Sequence, residues 1–279
     1  MTRMYEMPLD PTAGATPLPI EILETEPDLY WHIAHEMYFE IEEHARAGKS
    51  TVYIAPVGPV FQYRRFADLC RRRPLDLSGV HFFFMDEYMT DEHTLIPADD
   101  PLSFRGFIRE ELLEALPAEA GLAAGQIHFP DPADPSAYDA AIEELGGVDT
   151  CIAGVGINGH LAFNEPPEPG EEVTDDEFRA RPTRVLAISR ETRTINSNTA
   201  LRGALDRVPP WAVTVGMKQI LTARRLRIYL NRPWQSAVVR RILYGEVSAA
   251  FPASFARRHP DARIVLTRQV AQEPRFALK

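Results

Sequence analysis

The chain has 279 residues, of which 45% are hydrophobic and 25% are charged, and its formal net charge is −10 at pH 7. This composition is typical of a soluble globular protein, and the acidic balance disfavours a nucleic-acid partner because phosphate binding needs a basic surface. No internal repeat and no apolar run near the length of a membrane span is present, so a membrane protein is not indicated. The first 20 residues lack the basic region and apolar core of a secretory signal, and the expected location is the cytoplasm.

We expect one domain over residues 1–279, because no Gly/Ser-rich or low-complexity linker divides the chain. Residues 1–24 are interpreted as an N-terminal extension. Residues 166–182 are acidic, rich in proline and poorly periodic, which predicts a mobile loop or lid. Cys70 and Cys151 lie far apart in apolar surroundings without metal-binding spacing, which predicts two buried free thiols.

The first half of the chain alternates between helical and strand patterns. Helical spacing of apolar residues predicts a helix over residues 28–48, and a strand over 51–55 leads into a Pro56-Val-Gly-Pro59 turn. The continuous aromatic run 80–85 predicts a central strand buried on both faces. Further elements are predicted as helices from about Val60 to Arg73, at 102–116 and at 136–145, and as a short strand at 126–129.

The second half repeats the alternation. Strands are predicted at residues 149–153, 184–188, 212–215, 225–230 and 263–267, with helices between the last four. Alternating strands and helices predict an α/β fold with a doubly wound, mostly parallel sheet and helices on both faces, a Rossmann-like three-layer sandwich. Ligands bind such sheets at the loops after the carboxyl ends of the strands.

Asp86 stands at one of these positions, where the apolar strand 80–85 passes into a loop. Partial burial there would raise the pKa of the carboxyl group and make it an acid or base near neutral pH, although a turn or helix-capping role is an equal alternative. Glu87 would point to the other side of an extended backbone, so the two are not expected to act as an acid pair.

The segment Gly154-Val-Gly-Ile-Asn-Gly-His-Leu-Ala-Phe-Asn-Glu-Pro166 follows the strand at 149–153. Its glycines allow the backbone to turn tightly beside a ligand, and Glu165 lies close enough in sequence to orient the imidazole of His160. A dinucleotide site is a weaker alternative, because Asn-Glu-Pro-Pro interrupts the helix that would have to follow.

Four segments together resemble the glucosamine-6-phosphate deaminase/isomerase family, whose relatives include 6-phosphogluconolactonase. They are Met85-Asp86-Glu87-Tyr88, Gly154–Pro166, Thr192-Arg193-Thr-Ile-Asn196-Ser197 and Val213-Thr-Val-Gly216. The resemblance runs over about residues 25–270. Its order and separation make a more specific signature than any single glycine-rich match.

The resemblance implies a hydrolase that needs neither metal nor cofactor. Such an enzyme opens the ring of a 2-amino sugar phosphate, moves a proton between C2 and C1, and releases ammonia to leave a ketose phosphate. Asp86 would carry the proton, and His160, supported by Glu165 with Asn158, would assist ring opening. The implied substrate-binding positions are Gly58, Glu87, Gly156, Gly159, Asn164, Arg193, Asn198 and Gln235. A small amino sugar or sugar phosphate is the expected partner, and a homo-oligomer is an implication of the likeness.

Three positions depart from the family pattern. Asn158 stands where the family most often has Asp, so position 158 cannot act as a base and Glu165 is expected to carry more of that task. Pro56-Val-Gly-Pro-Val60 replaces a Thr- and Gly-rich phosphate turn, and proline has no N–H to donate. Asn198 and Gln235 replace an arginine and a lysine. Arg64, Arg65, Arg202 and Arg232 are candidates to compensate, with solvated surface charges as the alternative.

These departures lead to the hypothesis of a retained isomerising centre with an altered, non-phosphorylated amino sugar as substrate. Lactone hydrolysis on the same scaffold is a second possibility, and it would not need Asp86 to carry a proton. A sugar-binding or sensing protein without turnover is a third possibility, kept open by Asn158 and the altered phosphate turn.

Overall fold

The computed structural model describes residues 2–9, 16–58 and 61–274. The strands are β1 (Ile20–Leu23), β2 (Thr51–Ala55), β3 (Val80–Phe84), β4 (Asp86–Met89), β5 (Ile127–His128), β6 (Thr150–Ala153), β7 (Arg184–Ala187), β8 (Trp211–Thr214), β9 (Arg225–Leu230) and β10 (Ala262–Thr267). The α-helices are α1 (Thr2–Tyr5), α2 (Glu26–Arg46), α3 (Gln62–Arg72), α4 (Phe104–Ile108), α5 (Pro135–Glu144), α6 (Asp175–Arg179), α7 (Arg190–Ala200), α8 (Met217–Thr222), α9 (Gln235–Tyr244) and α10 (Arg268–Ala271). A π-helical turn, Arg109–Leu113, continues α4.

Seven strands form one sheet in the order β1-β10-β9-β6-β2-β3-β5, and all of its strand pairs are parallel. Alternate residues of a strand face opposite layers. Val52 and Ile54 pack with the apolar residues of α5, α8 and α9, whereas Tyr53 and Ala55 pack with those of α2 and α3. The predicted three-layer α/β fold is therefore confirmed.

Local sequence fixes the bounds of the longest helix. Thr25 caps the first turn of α2 in a reciprocal pair with Asp28, and a proline occupies the first turn, where its missing N–H costs nothing. Gly48, which follows the C-terminus, adopts φ +66°, a conformation that glycine reaches without strain. The predicted helix over residues 28–48 is confirmed with both ends shifted by two residues. The predicted helix start at Val60 and Pro59 of the turn lie outside the described residues.

Two predicted strands belong to a different sheet from the one expected. β7 and β8 pair antiparallel with each other, and β8 pairs antiparallel with β4, which gives a second sheet in the order β4-β8-β7. Asp86 accordingly enters a strand rather than the loop expected from sequence. Met85 links β3 to β4, since its N–H donates to Ala55 and its carbonyl accepts from Val215. Period-two patterns locate strands but do not identify their partners, which is why this sheet was not predicted.

The two segments set apart in the sequence are partly built into the fold. Within the segment 1–24, β1 forms an edge strand parallel to β10, so its residues are not an extension. Within the segment 166–182, Thr174 caps α6, and Phe178 is fully buried against the core. That anchors its C-terminal half, while the mobility of the segment and the single-domain interpretation stay predictions. Among the described residues, none of the helices combines the length and apolar character needed to cross a membrane.

We expect Gly216→Ala to destabilise the fold by about 1–3 kcal/mol, the range for overpacked sites. A Cβ there would lie 2.3 Å from the carbonyl oxygen of Arg181 and 2.4 Å from the carbonyl carbon of Pro182, and backbone cannot move aside as a side chain can. Urea unfolding measures the loss. Gly125→Ala is the matched control, since no atom lies within 4 Å of its Cβ position. Equal stability of the two variants would contradict the packing.

Candidate active site

A cavity of about 420 Å³ opens where the loops after β2, β6 and β9 meet, at the carboxyl edge of the parallel sheet. This volume suits a small-molecule ligand, and this edge is where open α/β sheets bind ligands. Five of the catalytic and substrate-binding positions implied by the resemblance line it: Gly58, Asp86, Gly156, His160 and Gln235. The fold thus brings Asp86 and His160, which are distant in the chain, to one cavity.

Asp86 has the burial that was expected of a proton carrier. Only 8% of its surface is exposed. Burial raises the pKa of the carboxyl group to about 8, the charge of Glu87 contributes in the same direction, and a hydrogen bond with Thr214 opposes both. A carboxyl group with this pKa can accept and release a proton near neutral pH.

Asn158 and Glu165 hold the imidazole of His160. Nδ1 of His160 lies 2.8 Å from Oδ1 of Asn158 and 3.3 Å from Oε2 of Glu165. Nδ2 of Asn158 donates to the same Oε2 at 2.6 Å, so the amide bridges the ring and the carboxylate. Because an amide oxygen and an ionised carboxylate only accept, Nδ1 carries the proton. The neutral ring then has its lone pair on Nε2, which is free to act as a base.

Glu165 is ionised at neutral pH. Burial raises its pKa, but the hydrogen bond and charge of His160, together with hydrogen bonds from Asn158 and Thr192, outweigh burial and hold the pKa at about 2. The N–H of Ser189 also donates to the second carboxylate oxygen at 3.3 Å. A fixed negative charge beside the ring stabilises the imidazolium that forms when His160 takes up a proton.

Two glycines of this loop are required for different reasons. A Cβ at Gly156 would lie 2.0 Å from Cε1 of His160, so the ring rests against the backbone only because this residue has no side chain. Gly159 adopts φ +89°, and its Cβ position lies 2.4 Å from the ring of Phe251. Gly159 does not line the cavity. The Cα of Gly159 instead packs against the core, and its role in substrate binding stays a prediction.

Glu87 does not line the cavity either, and its contact with substrate stays a prediction. Its side chain is fully buried and accepts hydrogen bonds from Ser103 Oγ at 2.8 Å, from the Phe104 N–H at 3.0 Å and from the Arg105 N–H at 2.9 Å. The carboxylate thereby holds the N-terminus of α4, where a negative charge is favourable. Successive residues of a strand point to opposite sides, as expected for Asp86 and Glu87.

Asn164 is also a structural residue. It is fully buried, and its amide donates to the carbonyls of Leu161 at 3.0 Å and Val215 at 2.8 Å while it accepts from Arg184 at 2.7 Å. These contacts brace the loop after β6 internally and tie it to β7 and to the residue that follows β8. They describe a structural role, and the binding of substrate by Asn164 stays a prediction.

Helix α7 presents a different face to the cavity from the one predicted. Arg193 donates to the carbonyl of Val208, Asn198 is exposed, and neither lines the cavity. Residues at helical spacing do: Ile195, Asn196 and Thr199 lie in the wall, and Thr192 contacts Nδ1 of His160 at 3.2 Å. The spacing i, i+3, i+4, i+7 marks one helix face and could have identified these residues from sequence.

Tyr88 is a further wall residue that the sequence interpretation did not assign. It is 6% exposed and lies two residues after Asp86 on β4, hence on the same side of the strand. Its hydroxyl accepts a hydrogen bond from Asn196 at 3.1 Å. The pair joins β4 to α7 beside the carboxyl group of Asp86. Strand alternation is the signal that could have selected Tyr88.

The four arginines considered as phosphate ligands lie in different environments. Arg64 forms two hydrogen bonds with Glu111, each of 2.8 Å. Arg65 lies over the ring of Trp31, and Arg202 is an exposed turn residue. Arg232 alone of the four lines the cavity. Within the described part of the chain, no group of three or more His, Cys, Asp or Glu side chains could hold a metal ion.

Comparison with known proteins identifies relatives of this chain. No family model matches the chain. The glucosamine-6-phosphate deaminase of Mycolicibacterium smegmatis is 35% identical over 191 residues, which cover 66% of this chain and 68% of that protein. The glucosamine-6-phosphate deaminase of Bifidobacterium longum is 30% identical over 232 residues, which cover 78% of each chain.

Solved structures share the fold. A monomeric glucosamine-6-phosphate deaminase matches with a TM-score of 0.77 at 24% identity, over 90% of this chain and 98% of the other. The 6-phosphogluconolactonase of Thermotoga maritima matches with a TM-score of 0.63 at 17% identity, over 89% of this chain and 98% of the other. At these identities the likeness establishes the architecture and not the reaction.

We expect Asp86→Asn to change the pH dependence of stability. The pKa of Asp86 is 3.8 when unperturbed and about 8 in the fold, so the folded state binds more protons between these values. The free energy of unfolding of the native protein therefore falls as pH rises through this window, by on the order of a few kcal/mol. The asparagine variant should not show this fall. Urea unfolding from pH 4 to 9 measures it. Asp131→Asn, at an exposed turn, is the matched control, and parallel curves for all three proteins would refute the burial of an uncharged Asp86.

Proposed function

The chain belongs to the glucosamine-6-phosphate deaminase family, and from that premise we propose that it converts a 2-amino-2-deoxy sugar or its phosphate into the ketose and ammonia. The observation that carries the proposal is the cavity shared by Asp86 and His160. One residue offers a carboxyl group with a pKa of about 8, and the other an imidazole with a defined protonated nitrogen. Aldose–ketose conversion needs these two groups.

In the first step, Nε2 of His160 takes up and returns the proton that moves when the sugar ring opens to the aldehyde. Glu165 stabilises the imidazolium, and Asn158 keeps Nδ1 pointing away from the substrate. Both supporting groups act through the ring rather than on the sugar. Their contact with Nδ1 is what leaves Nε2 as the reactive nitrogen.

In the second step, Asp86 removes the proton from C2 and delivers it to C1. The electrons of the C2–H bond form a C1–C2 double bond while the π electrons of the C1 carbonyl pass to its oxygen, which takes up a proton. The nitrogen lone pair then forms a C2–N double bond as the C1–C2 π electrons take the proton at C1, which leaves a protonated imine at C2. Water adds to that imine, and ammonia leaves, which makes the net reaction a hydrolysis. The protonated amino group of the substrate would lower the pKa of Asp86 on binding, so the carboxylate form is available when it is needed.

Lactone hydrolysis is the alternative hypothesis for this fold. It would use His160 to activate a water molecule and would leave Asp86 without a task. The burial and raised pKa of Asp86 favour the deaminase, because a carboxyl group kept uncharged at neutral pH costs stability. A sugar-binding protein without turnover is the third reading, in which amino sugars would stabilise the fold without release of ammonia.

The cytoplasmic location, the independence from metal and the homo-oligomer that the resemblance implies stay predictions.

Asp86→Asn is expected to lower ammonia release from glucosamine 6-phosphate by about 10²–10⁴-fold, the usual contribution of a general acid–base group. A coupled ammonia assay measures this, with Asp131→Asn as the surface control. Unchanged turnover in the Asp86 variant would remove the proposed proton carrier. A lactone panel assayed in parallel identifies the rival reaction, which the same substitution should spare.

Asn158→Leu is expected to lower kcat by about 10–100-fold with little change in KM. The substitution removes the acceptor for His160 and the donor to Glu165 while it keeps the side-chain volume. Steady-state kinetics separates the two parameters. Asn198→Leu makes the same change at an exposed position on α7 and should retain full activity. A rise in KM alone would show that Asn158 binds substrate instead of positioning the ring.

A further inference from the structure

The loops after β2 and β9 form one wall of the cavity, and the hydrogen-bonding groups of this wall limit which substrates can bind. Gly58 lies in the first loop, and Asn231, Arg232 and Trp234 lie in the second, which leads directly into Gln235 at the start of α9. Loop N–H groups in front of a helix N-terminus ordinarily form an anion site. Whether this wall can bind an anion therefore depends on where its N–H groups are directed.

The side chain of Gln235 accepts hydrogen bonds from two of these loop N–H groups. Its Oε1 accepts from the N–H of Asn231 at 2.9 Å and from the N–H of Arg232 at 2.8 Å. Its Nε2 donates to the carbonyl of Val155 at 2.8 Å, and only 4% of the residue is exposed. The amide thus takes the position and the hydrogen bonds that an anion would otherwise use.

The rest of the wall offers little to replace them. Pro56, the first residue after β2, has no N–H. Among the described residues that line the whole cavity, the carboxyl, imidazole and guanidinium side chains are those of Asp86, His160 and Arg232, so Arg232 supplies the permanent positive charge. A phosphate dianion is strongly hydrated and is bound by several charge-assisted hydrogen bonds together. One arginine does not replace that set.

We propose that Gln235 determines specificity, and that the cavity selects 2-amino-2-deoxyhexoses whose C6 group carries no phosphate. The inference rests on the proposed deaminase function and narrows its substrate. Arg232 then serves as a donor to sugar hydroxyl oxygens. Apolar residues of the cavity lining, such as Phe107 and Trp234, give a surface that suits a neutral sugar better than a dianion.

The first experiment compares kcat/KM of the full-length protein for glucosamine and for glucosamine 6-phosphate by ammonia release. We expect kcat/KM for glucosamine to exceed that for glucosamine 6-phosphate by at least about tenfold, equivalent to about 1.4 kcal/mol. A smaller difference, or a preference for the phosphorylated sugar, overturns the inference. Absence of ammonia release from either sugar overturns the proposed function as well, so the two failures are distinguishable.

The second experiment introduces the missing charge. Gln235→Lys removes the acceptor oxygen, frees the two loop N–H groups and adds a cation, so the preference for glucosamine 6-phosphate over glucosamine should rise at least about tenfold. Gln272→Lys adds the same charge at an exposed position and should leave the preference unchanged. A folded Gln235→Lys protein with the wild-type preference would show that this residue does not set specificity.

Inorganic phosphate tests the wild-type cavity without any substitution. We expect it to inhibit glucosamine turnover with an inhibition constant weaker than about 10 mM, because the N–H groups of Asn231 and Arg232 are already engaged by Gln235. Competitive inhibition at micromolar concentration would reveal an anion site and overturn the inference, whatever the fate of the Gln235 variant.

Discussion

The site depends on the burial of one carboxyl group at the junction of two sheets. The chain leaves the parallel sheet at Met85 and enters the antiparallel sheet at Asp86, opposite Thr214 of β8. The Met85 N–H donates to the Ala55 carbonyl and the Val215 N–H donates to the Met85 carbonyl, which fixes this crossing from both sides. Because burial at the junction disfavours the charged form, the pKa of the carboxyl group is raised to about 8, and its proposed reactivity follows from that burial. The same junction directs Glu87 away from the cavity and into the N-terminus of α4.

The imidazole is controlled by an amide rather than by a second acid. Asn158 can accept from His160 and donate to Glu165 at the same time, which a carboxylate cannot do. An acid at this position would place like charges 2.6 Å apart and would force one of them to bind a proton. With the amide, Glu165 keeps its charge and remains the one fixed anion beside the ring. Asparagine in place of an acid thus changes the number of protons that the site can bind, and it keeps the hydrogen bond that orients the imidazole ring.

Deaminases and lactonases share this fold, so the architecture alone does not select a reaction. The selection comes from side chains around the cavity. In the proposed mechanism, Asp86 carries the proton and His160 is a base with a defined tautomer. The amide of Gln235 occupies the loop N–H groups of Asn231 and Arg232. The two proposals thus assign chemistry and specificity to separate elements, β4 and the β6 loop in one case and the start of α9 in the other.

The sequence by itself predicted every strand of the parallel sheet except β1, which lies in the segment interpreted as an extension, and it predicted the two buried thiols, because periodicity and residue type act locally. It also selected Asp86 and His160 as candidate site residues. It did not determine which strands pair, and so it assigned β7 and β8 to the wrong sheet and read Asp86 as a loop residue. Motif positions alone also selected Arg193 and Asn198, whereas the rotation of α7 presents Asn196 and Thr199 to the cavity. Only the tertiary structure decided these points, since pairing, helix rotation and the direction of a buried side chain depend on contacts between residues that are distant in the chain.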